Sequence, residues 1–302
     1  RLIGNYDSIC AKVLIYAAEK ICFDSEFTRH DTNDSQAVVK QMSEELKCHQ
    51  KDIKPKKLHN KLRDTDTQLI EADVYQERFV SSTLDDITAR VYTIYNKRLK
   101  QSNAMDFDDL LVKPIQLFEE HPDILEKYQD RFKYILIDEY QDTNHAQYKA
   151  TKMLAAKYNN ICVVGDDAQS IYSFRGADIS NILNFKEDYE NATQVPLEQN
   201  YRSTKSILQC ADSIIKQNTK QLDKTLWTEQ EYGERITVLE NFDERDEANR
   251  VATHIQNLKM RHGYENNDFA ILYRTNYQSR VFEEALRRKD LAYQLVGGLS
   301  FY

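Results

Sequence analysis

The fold is decided by the segment YILIDE, residues 134–139, in which a short apolar run ends in two acids. The segment ICVVGDD, residues 161–167, repeats this pattern. Short continuous apolar runs of this kind are typical of strands that are buried on both faces of a parallel sheet. Because open α/β sheets bind ligands at the carboxyl ends of their strands, the polar residues that follow both runs are expected at one crevice. These residues are Asp138, Glu139, Asp166 and Gln169.

The same alternation of apolar runs and helical patterns continues toward the end of the chain. Apolar runs at residues 236–239, 270–273 and 293–296 predict further strands. The residues between them predict helices near Glu244–Lys259 and Ser279–Arg288. Strand–helix–strand alternation of this kind predicts βαβ units with parallel sheets, and therefore an α/β fold.

The first third of the chain has a helical pattern instead. A helix capped by Asp34 or Ser35 is predicted to run to Leu46, because apolar residues recur at three- and four-residue spacing. Lys51–Lys61 is predicted to be a polar connector, whose lysines fit a solvated loop better than a contact with phosphates. Glu71–Lys100 is predicted to form one long charged helix with an apolar stripe.

Composition and charge limit the class of protein. The 302 residues carry 41 Lys and Arg against 49 Asp and Glu, for a net charge of −8, and the acids are concentrated between residues 106 and 200. This composition is typical of a soluble globular chain long enough for two domains. A nucleic-acid binder of this charge needs local contact patches. Five cysteines without C-x-x-C spacing predict neither a disulfide framework nor a zinc knuckle, which favours a cytoplasmic location, and no apolar stretch is long enough to span a membrane.

The acid pair Asp138 and Glu139 has the form of a Walker B element. Hydrolysis of a nucleoside triphosphate requires an anionic ligand for Mg²⁺ and a second carboxylate that orients the attacking water. The dipeptide alone is a weak indication, because many strands end in acids. The alternatives are a solvated acidic face and a metal-dependent hydrolase built on the acids of residues 106–200, although no His or Cys ligand spacing supports the hydrolase.

Longer motifs extend this pair in a fixed order. They are DFDDL at 106–110, DEYQDTN at 138–144, VGDDAQSIYSFRGA at 164–177, LEQNYRST at 197–204, LYRTNYQSR at 272–280 and VGGLSFY at 296–302. In these motifs, which cover most of the chain, the sequence resembles the UvrD/PcrA/Rep family of superfamily 1 DNA helicases. The resemblance implies RecA-like P-loop NTPase-type parallel sheets with a helical inserted domain, and ATP and Mg²⁺ as cofactors. It also implies ATP-dependent 3′→5′ translocation on single-stranded DNA, or unwinding of DNA, in repair or replication.

The resemblance assigns nucleotide roles to five residues, with the nucleotide between the two RecA-like halves. Asp138 is expected to hold Mg²⁺, mainly through water, and Glu139 to polarise the attacking water. Gln169 is expected near the γ-phosphate, where it links the nucleotide state to the DNA track. Arg202 is expected to act as an arginine finger, and Tyr201 to stack on the adenine.

The resemblance assigns DNA contacts as well. Tyr172 and Phe174 match aromatic positions that stack on single-stranded bases, and Arg175 adds a backbone or coupling contact. The alternative for the two aromatic residues is packing in the core. Tyr6 stands where the family has the Phe of a Thr-Phe-His-Ser motif that contacts DNA, and Asp7 replaces its His.

Four segments are expected from the resemblance: 1–19 as the end of an upstream part of the first RecA-like domain, 20–105 as a helical insertion like domain 1B, 106–200 as the rest of the first RecA-like domain, and 201–302 as the start of the second. The family's P-loop contains Gly followed by Lys, a pair that occurs nowhere in these 302 residues. The chain is therefore expected to be the middle of a longer motor that hydrolyses ATP poorly alone, the alternative being an ATPase-dead DNA-binding module. Single-stranded DNA and junctions of single- and double-stranded DNA are the expected partners, with repair or replication proteins as candidates and no membrane.

Overall fold

The structure, a computed structural model, describes residues 2–46 and 54–296. The chain divides into two units, Arg1–Glu198 with Ser213–Thr225, and Gln199–Asp212 with Leu226–Tyr302. The helices are α1 (Tyr6–Ala17), α2 (Thr32–Glu45), α3 (Pro55–Thr67), α4 (Ala72–Arg78), α5 (Thr83–Gln101), α6 (Asp109–Glu120), α7 (Pro122–Arg131), α8 (His145–Ala155), α9 (Ser180–Leu183), α10 (Phe185–Asp188), α11 (Lys205–Ile215), α12 (Glu244–His262) and α13 (Ser279–Arg288). The strands are β1 (Thr28–Arg29), β2 (Ala104–Met105), β3 (Ile135–Ile137) and β4 (Ile161–Val163).

Helix α2 begins earlier than its sequence pattern predicts. Its cap is Asp31, whose side chain accepts hydrogen bonds from the backbone N–H groups of Asn33 and Asp34 at 2.7 and 2.8 Å. The Asp34 carboxylate in turn accepts from the Asp31 N–H at 3.0 Å, which completes a capping box. The predicted cap at Asp34 or Ser35 is therefore wrong, because Asp34 occupies the third helical position and Ser35 is buried.

The predicted polar connector is also wrong from Pro55 onward, where α3 begins; residues 51–53 lie outside the described residues. Proline suits the first position of a helix because its missing N–H has no helical partner there. Helix α3 buries Leu58 and Leu62 on one face and leaves its lysines outside or paired. Apolar spacing within a lysine-rich segment was the signal for this helix.

Residues 71–100 form two helices, not the single predicted helix. Helix α4 ends at Arg78, and α5 starts after Ser82, whose side chain accepts from the Asp85 N–H at 3.2 Å. Asp85 is buried and accepts hydrogen bonds from the Ser82 hydroxyl at 2.7 Å and from the Lys61 ammonium. A cap of this kind contributes about 0.5–2 kcal/mol, so the break is a stable feature and not a frayed helix.

The helices α2 to α5 pack around a core of their own. Its most deeply buried members include Val39, Met42, Leu58, Leu62, Val91 and Tyr95. A second core joins α1, α6 and α7 through Leu14, Leu117 and Tyr128. Each fully buried side chain of this size contributes roughly 1.5–3 kcal/mol to stability.

The prediction that the two runs before the acids form parallel strands is confirmed. The predicted burial on both faces is wrong, because Leu136 is 78% exposed and Cys162 opposite it is also exposed. Strands β3 and β4 pair in parallel, with Ile135 opposite Ile161 and Ile137 opposite Val163, and α8 lies between them in the chain. This βαβ order brings the carboxyl ends of β3 and β4 to one edge.

The three strands predicted in the second unit are not observed. Residues 236–239, 270–273 and 293–296, all of them described, form no strand, and Val238 and Leu272 are 87% and 93% exposed. A strand requires a hydrogen-bonded neighbour, and an apolar run does not specify one by itself. The helices are observed: α13 has the predicted bounds, and α12 runs three residues further, to His262, where Gly263 adopts φ 72°. No helix among the described residues has the length and apolar character of a membrane span.

Candidate nucleotide site and nucleic-acid surface

The turn that follows β3 places two carboxylates at the end of the strand. Asp138 and Glu139 are both exposed, and the Asp138 carboxylate accepts the Glu139 N–H at 3.0 Å. Glu139 has φ 52° and ψ 43°, which lies in the left-handed region. A residue other than glycine in such a conformation costs of order 1–3 kcal/mol, and such strain concentrates at functional sites. The strained residue here is the acid to which the resemblance assigns the attacking water.

A buried glutamine joins the ends of the two strands. Gln141 is 1% exposed, and its amide nitrogen donates to Glu139 Oε2 at 2.8 Å. Its amide oxygen accepts the Asp166 N–H at 3.0 Å. The motif after β3 and the motif after β4 are therefore linked through one side chain. Sequence reasoning assigned no role to Gln141; its position two residues after Glu139 was the available signal.

Gly165 makes room for this link. A Cβ atom at residue 165 would lie 2.5 Å from Gln141 Oε1 and 2.7 Å from Ile182 Cδ1, closer than real Cβ atoms approach. The glycine is therefore required by space at this position.

Asp166 organises the loop that carries Gln169. Its carboxylate accepts the Ala168 N–H at 3.0 Å and the Gln169 amide at 2.8 Å, and it is paired with the Lys224 ammonium. Burial opposes the ionisation of Asp166, but the hydrogen bonds from Lys224 and Gln169 outweigh it and lower the pKa of Asp166. Gln169 is thus held in a defined orientation at the carboxyl end of β4.

Asp167 binds the same loop to Leu222 and Lys224. It is 5% exposed, and its carboxylate accepts from Lys224 Nζ at 2.6 Å and from the Leu222 N–H at 3.0 Å. The observed role of Asp167 is to bind the segment 213–225 to this loop, a contact that spacing alone does not reveal.

The acid pair is chemically suited to a hydrated Mg²⁺. Asp138 and Glu139 offer hard oxygen ligands, and no Lys or Arg of the described residues forms an ion pair with either. One oxygen of Asp142, Oδ1, is buried nearby without a hydrogen-bond partner, and burial followed by the charge of Glu139 raises the pKa of Asp142. No group of three or more His, Cys, Asp or Glu side chains within residues 2–46 and 54–296 forms a metal-binding cluster.

Two exposed aromatic residues and an arginine form a platform after β4. Tyr172 and Phe174 are 37% and 64% exposed, and their ring centroids lie 6.0 Å apart. The Arg175 guanidinium lies 5.1 Å from the Tyr172 centroid and 5.5 Å from that of Phe174. The alternative that these rings pack in the core does not fit their exposure. Further along the chain, the Asp178 N–H donates to the Thr143 carbonyl at 3.0 Å, which ties this segment to the motif after β3.

Tyr6 lies at the start of α1, and its contact with DNA stays a prediction. Its hydroxyl is hydrogen-bonded to Thr151 Oγ1 at 2.9 Å, and its ring packs against a cluster that contains Cys10 and Ala150. Burial raises the pKa of Tyr6 to about 12. The Tyr6 hydroxyl, which phenylalanine lacks, has its hydrogen-bond partner inside the protein. The Tyr6 ring packs between α1 and α8.

The remaining predicted nucleotide residues belong to the second unit. Tyr201 is 76% exposed, and its hydroxyl donates to Gln199 Oε1 at 2.7 Å. Asn200 Oδ1 accepts the N–H groups of Arg202 and Ser203 at 3.0 and 2.8 Å, which fixes a tight turn. The side chains of Tyr201 and Arg202 are therefore presented at the surface by a well-bonded backbone. Within the first unit, the structure brings together Asp138, Glu139, Asp166 and Gln169 as predicted from the strand ends.

Comparison with known proteins decides the family. Residues 2–190 match the model of the UvrD/REP helicase N-terminal domain, and residues 195–302 match that of the UvrD-like helicase C-terminal domain. This chain belongs to the UvrD/REP helicase family. The resemblance found in the motifs is therefore confirmed, and membership implies an α/β fold of the P-loop type, of which β3, α8 and β4 form a part.

Curated relatives in the UvrD/REP helicase family align with nearly the whole chain. The chain is 42% identical over 301 residues to the ATP-dependent DNA helicase PcrA of Staphylococcus aureus strain Mu50, which covers 99% of this chain and 41% of the relative. It is 42% identical over 307 residues to the protein of the same name from Staphylococcus epidermidis strain RP62A, with the same coverage. The chain thus spans about two fifths of the length of the curated relatives it matches.

Proposed function

We propose that the protein carrying this chain is an ATP-dependent DNA helicase that translocates 3′→5′ on single-stranded DNA. The observation that carries the proposal is the hydrogen-bonded link from Glu139 through Gln141 to Asp166 and Gln169, which holds two motifs together at the carboxyl ends of β3 and β4. Membership in the UvrD/REP helicase family and similarity to ATP-dependent DNA helicases of the PcrA type support it.

The nucleotide chemistry is assigned to the acid pair and the loop that follows β4. Bound ATP with Mg²⁺ supplies the scissile γ-phosphoryl group and the charge that activates it. Asp138 would hold the metal, and Glu139 orients and polarises the attacking water. Gln169, held by Asp166, contacts the γ-phosphate end of the nucleotide. Tyr201 stacks on the adenine and Arg202 stabilises the negative charge that develops in the transition state.

The DNA surface is assigned to Tyr172, Phe174 and Arg175. Exposed aromatic rings stack on bases of any sequence, with a contribution of about 1–3 kcal/mol per base. The cation beside both rings adds attraction for the phosphate backbone. These contacts give a local binding patch on a chain whose net charge is −8.

A second candidate is a DNA-binding module without ATPase activity. The observation that favours it is that no glycine of the 302 residues is followed by lysine.

Within the helicase proposal, we propose that this polypeptide alone hydrolyses ATP poorly, and that a phosphate-binding loop elsewhere in the protein completes the site. The helicase proposal also includes action at junctions of single- and double-stranded DNA, a role in repair or replication, and a cytoplasmic location.

Unwinding of tailed duplexes tests the function and its polarity. The complete protein is incubated with ATP and a labelled duplex that carries either a 3′ or a 5′ single-stranded tail. The proposal predicts strand separation from the 3′ tail alone, dependent on ATP. Separation from the 5′ tail alone would contradict the polarity, and binding without separation or ATP turnover would favour the ATPase-dead module.

A further inference from the structure

We propose that Gln141 is a positioning residue for ATP hydrolysis, which orients the Glu139 carboxylate and fixes its distance from the loop that carries Gln169. The inference rests on the proposed function, because it assigns Gln141 a role in the same site. Neither the sequence motifs nor the family comparison assigns a role to Gln141.

The rotamer of the Glu139 side chain is restrained by Gln141. This side chain is exposed, and in the part of the chain that the structure describes, the Gln141 amide is the only side chain that donates a hydrogen bond to its carboxylate. An exposed glutamate without such a partner samples several rotamers, each at a small energetic cost. A carboxylate that orients a water molecule must instead hold one geometry, because a misplacement of about 1 Å lowers a rate by as much as about 100-fold.

The Gln141 side chain is itself held in place. It is 1% exposed, both ends of its amide are hydrogen-bonded, and its backbone carbonyl accepts the Ser170 hydroxyl at 3.3 Å. The space next to its amide oxygen exists only because residue 165 is glycine. The entropy of ordering this side chain is therefore lost on folding and not during the reaction.

Gln141 also connects the ends of the two strands. Three hydrogen bonds make this connection. The Gln141 amide donates to the Glu139 carboxylate at 2.8 Å, the Asp166 N–H donates to the Gln141 amide oxygen at 3.0 Å, and the Gln169 amide donates to the Asp166 carboxylate at 2.8 Å. A shift of either loop alone stretches this chain of bonds. The carboxylate that orients the water and the amide that senses the γ-phosphate are therefore held in register by Gln141.

Substitutions of Gln141 in the complete protein test this inference. Gln141→Met keeps the length of the side chain and removes both hydrogen bonds. Gln141→Glu keeps the shape and the acceptor for Asp166 but places a carboxylate oxygen against Glu139. Both variants are expected to lower kcat of DNA-stimulated ATP hydrolysis by about 10- to 100-fold, with KM for ATP unchanged, since nucleotide binding does not involve Gln141.

Gln129→Met is the matched control. Gln129 is also buried, and its amide donates to the Met153 carbonyl at 2.7 Å, away from the acid pair. This variant loses a buried amide hydrogen bond of the same kind, so it is expected to lower stability while leaving kcat and KM unchanged.

The outcomes separate the inference from the function. Wild-type kcat in both Gln141 variants, a rise in KM without a fall in kcat, or an equal loss of kcat in Gln129→Met would overturn the positioning role and leave the proposed function intact. Absence of DNA-stimulated ATP hydrolysis in the unmodified complete protein would overturn the proposed function, and the positioning role with it.

Discussion

The left-handed backbone of Glu139 predicts that glycine replaces it at a smaller cost in stability than alanine does. Glu139→Gly and Glu139→Ala both remove the carboxylate and its hydrogen bond from Gln141, so this loss is the same in the two variants. At φ 52°, alanine retains a steric cost of about 1–2 kcal/mol that glycine avoids. Glycine loses more backbone entropy on folding, by about 0.5–1 kcal/mol. At the middle of both ranges, the difference leaves the glycine variant more stable by roughly 0.75 kcal/mol.

Hydrogen exchange measures this difference locally. The Tyr140 N–H, which donates to the Val164 carbonyl at 3.0 Å, directly follows the strained residue. After correction for intrinsic rates, its exchange is expected to be about two- to fivefold slower in the glycine variant than in the alanine variant. Gly263→Ala calibrates the scale, because Gly263 has φ 72° and a Cβ there meets no atom within 4 Å. Equal or faster exchange in Glu139→Gly would refute the argument from strain.

Two further predictions concern a buried acid and the aromatic platform. Burial and the charge of Asp106 raise the pKa of Asp109, so the folded protein retains a proton that the unfolded chain releases from about pH 4 upward, and stability falls as the pH rises toward neutrality. Asp109→Asn is therefore expected to raise the free energy of unfolding at pH 8 by about 1 kcal/mol, seen as a higher urea midpoint, and to raise it less at pH 5. Asp24→Asn, at an exposed position outside the helices, is expected to leave the midpoint unchanged at both pH values. A larger gain at pH 5 than at pH 8 for Asp109→Asn would contradict the prediction. Replacing Tyr172 and Phe174 together by alanine is expected to weaken single-stranded DNA binding by about 2–6 kcal/mol in a fluorescence titration, and full affinity in that variant would remove the platform from the DNA surface.

The sequence predicts those elements whose signal is local. The apolar runs before Asp138 and Gly165 specify β3 and β4, and the apolar spacing and flanking residues of 279–288 specify α13. The break before α5 escaped prediction because Ser82 and Asp85 look like ordinary surface residues until their mutual hydrogen bonds are known.

Features that depend on distant partners could not be predicted. The strands expected in the second unit require neighbours that an apolar run does not specify, and residues such as Val238, Leu272 and Val296 stay exposed. Gln141 gains its significance from Asp166, 25 residues away, and Tyr6 from Thr151. The family motifs nevertheless placed the acid pair and the platform in the chain, because their residues are contiguous in sequence.

We propose that Glu139 orients the attacking water in a DNA-stimulated ATPase. Steady-state ATP hydrolysis by the complete protein, with and without single-stranded DNA, tests it most directly when unmodified protein and Glu139→Gln are compared and ATP binding is measured in both. We expect DNA to stimulate ATP hydrolysis by the unmodified protein. In Glu139→Gln, we expect the rate of hydrolysis to fall by about 10²- to 10⁴-fold while ATP binding is retained. Turnover close to that of the unmodified protein in this variant would contradict it.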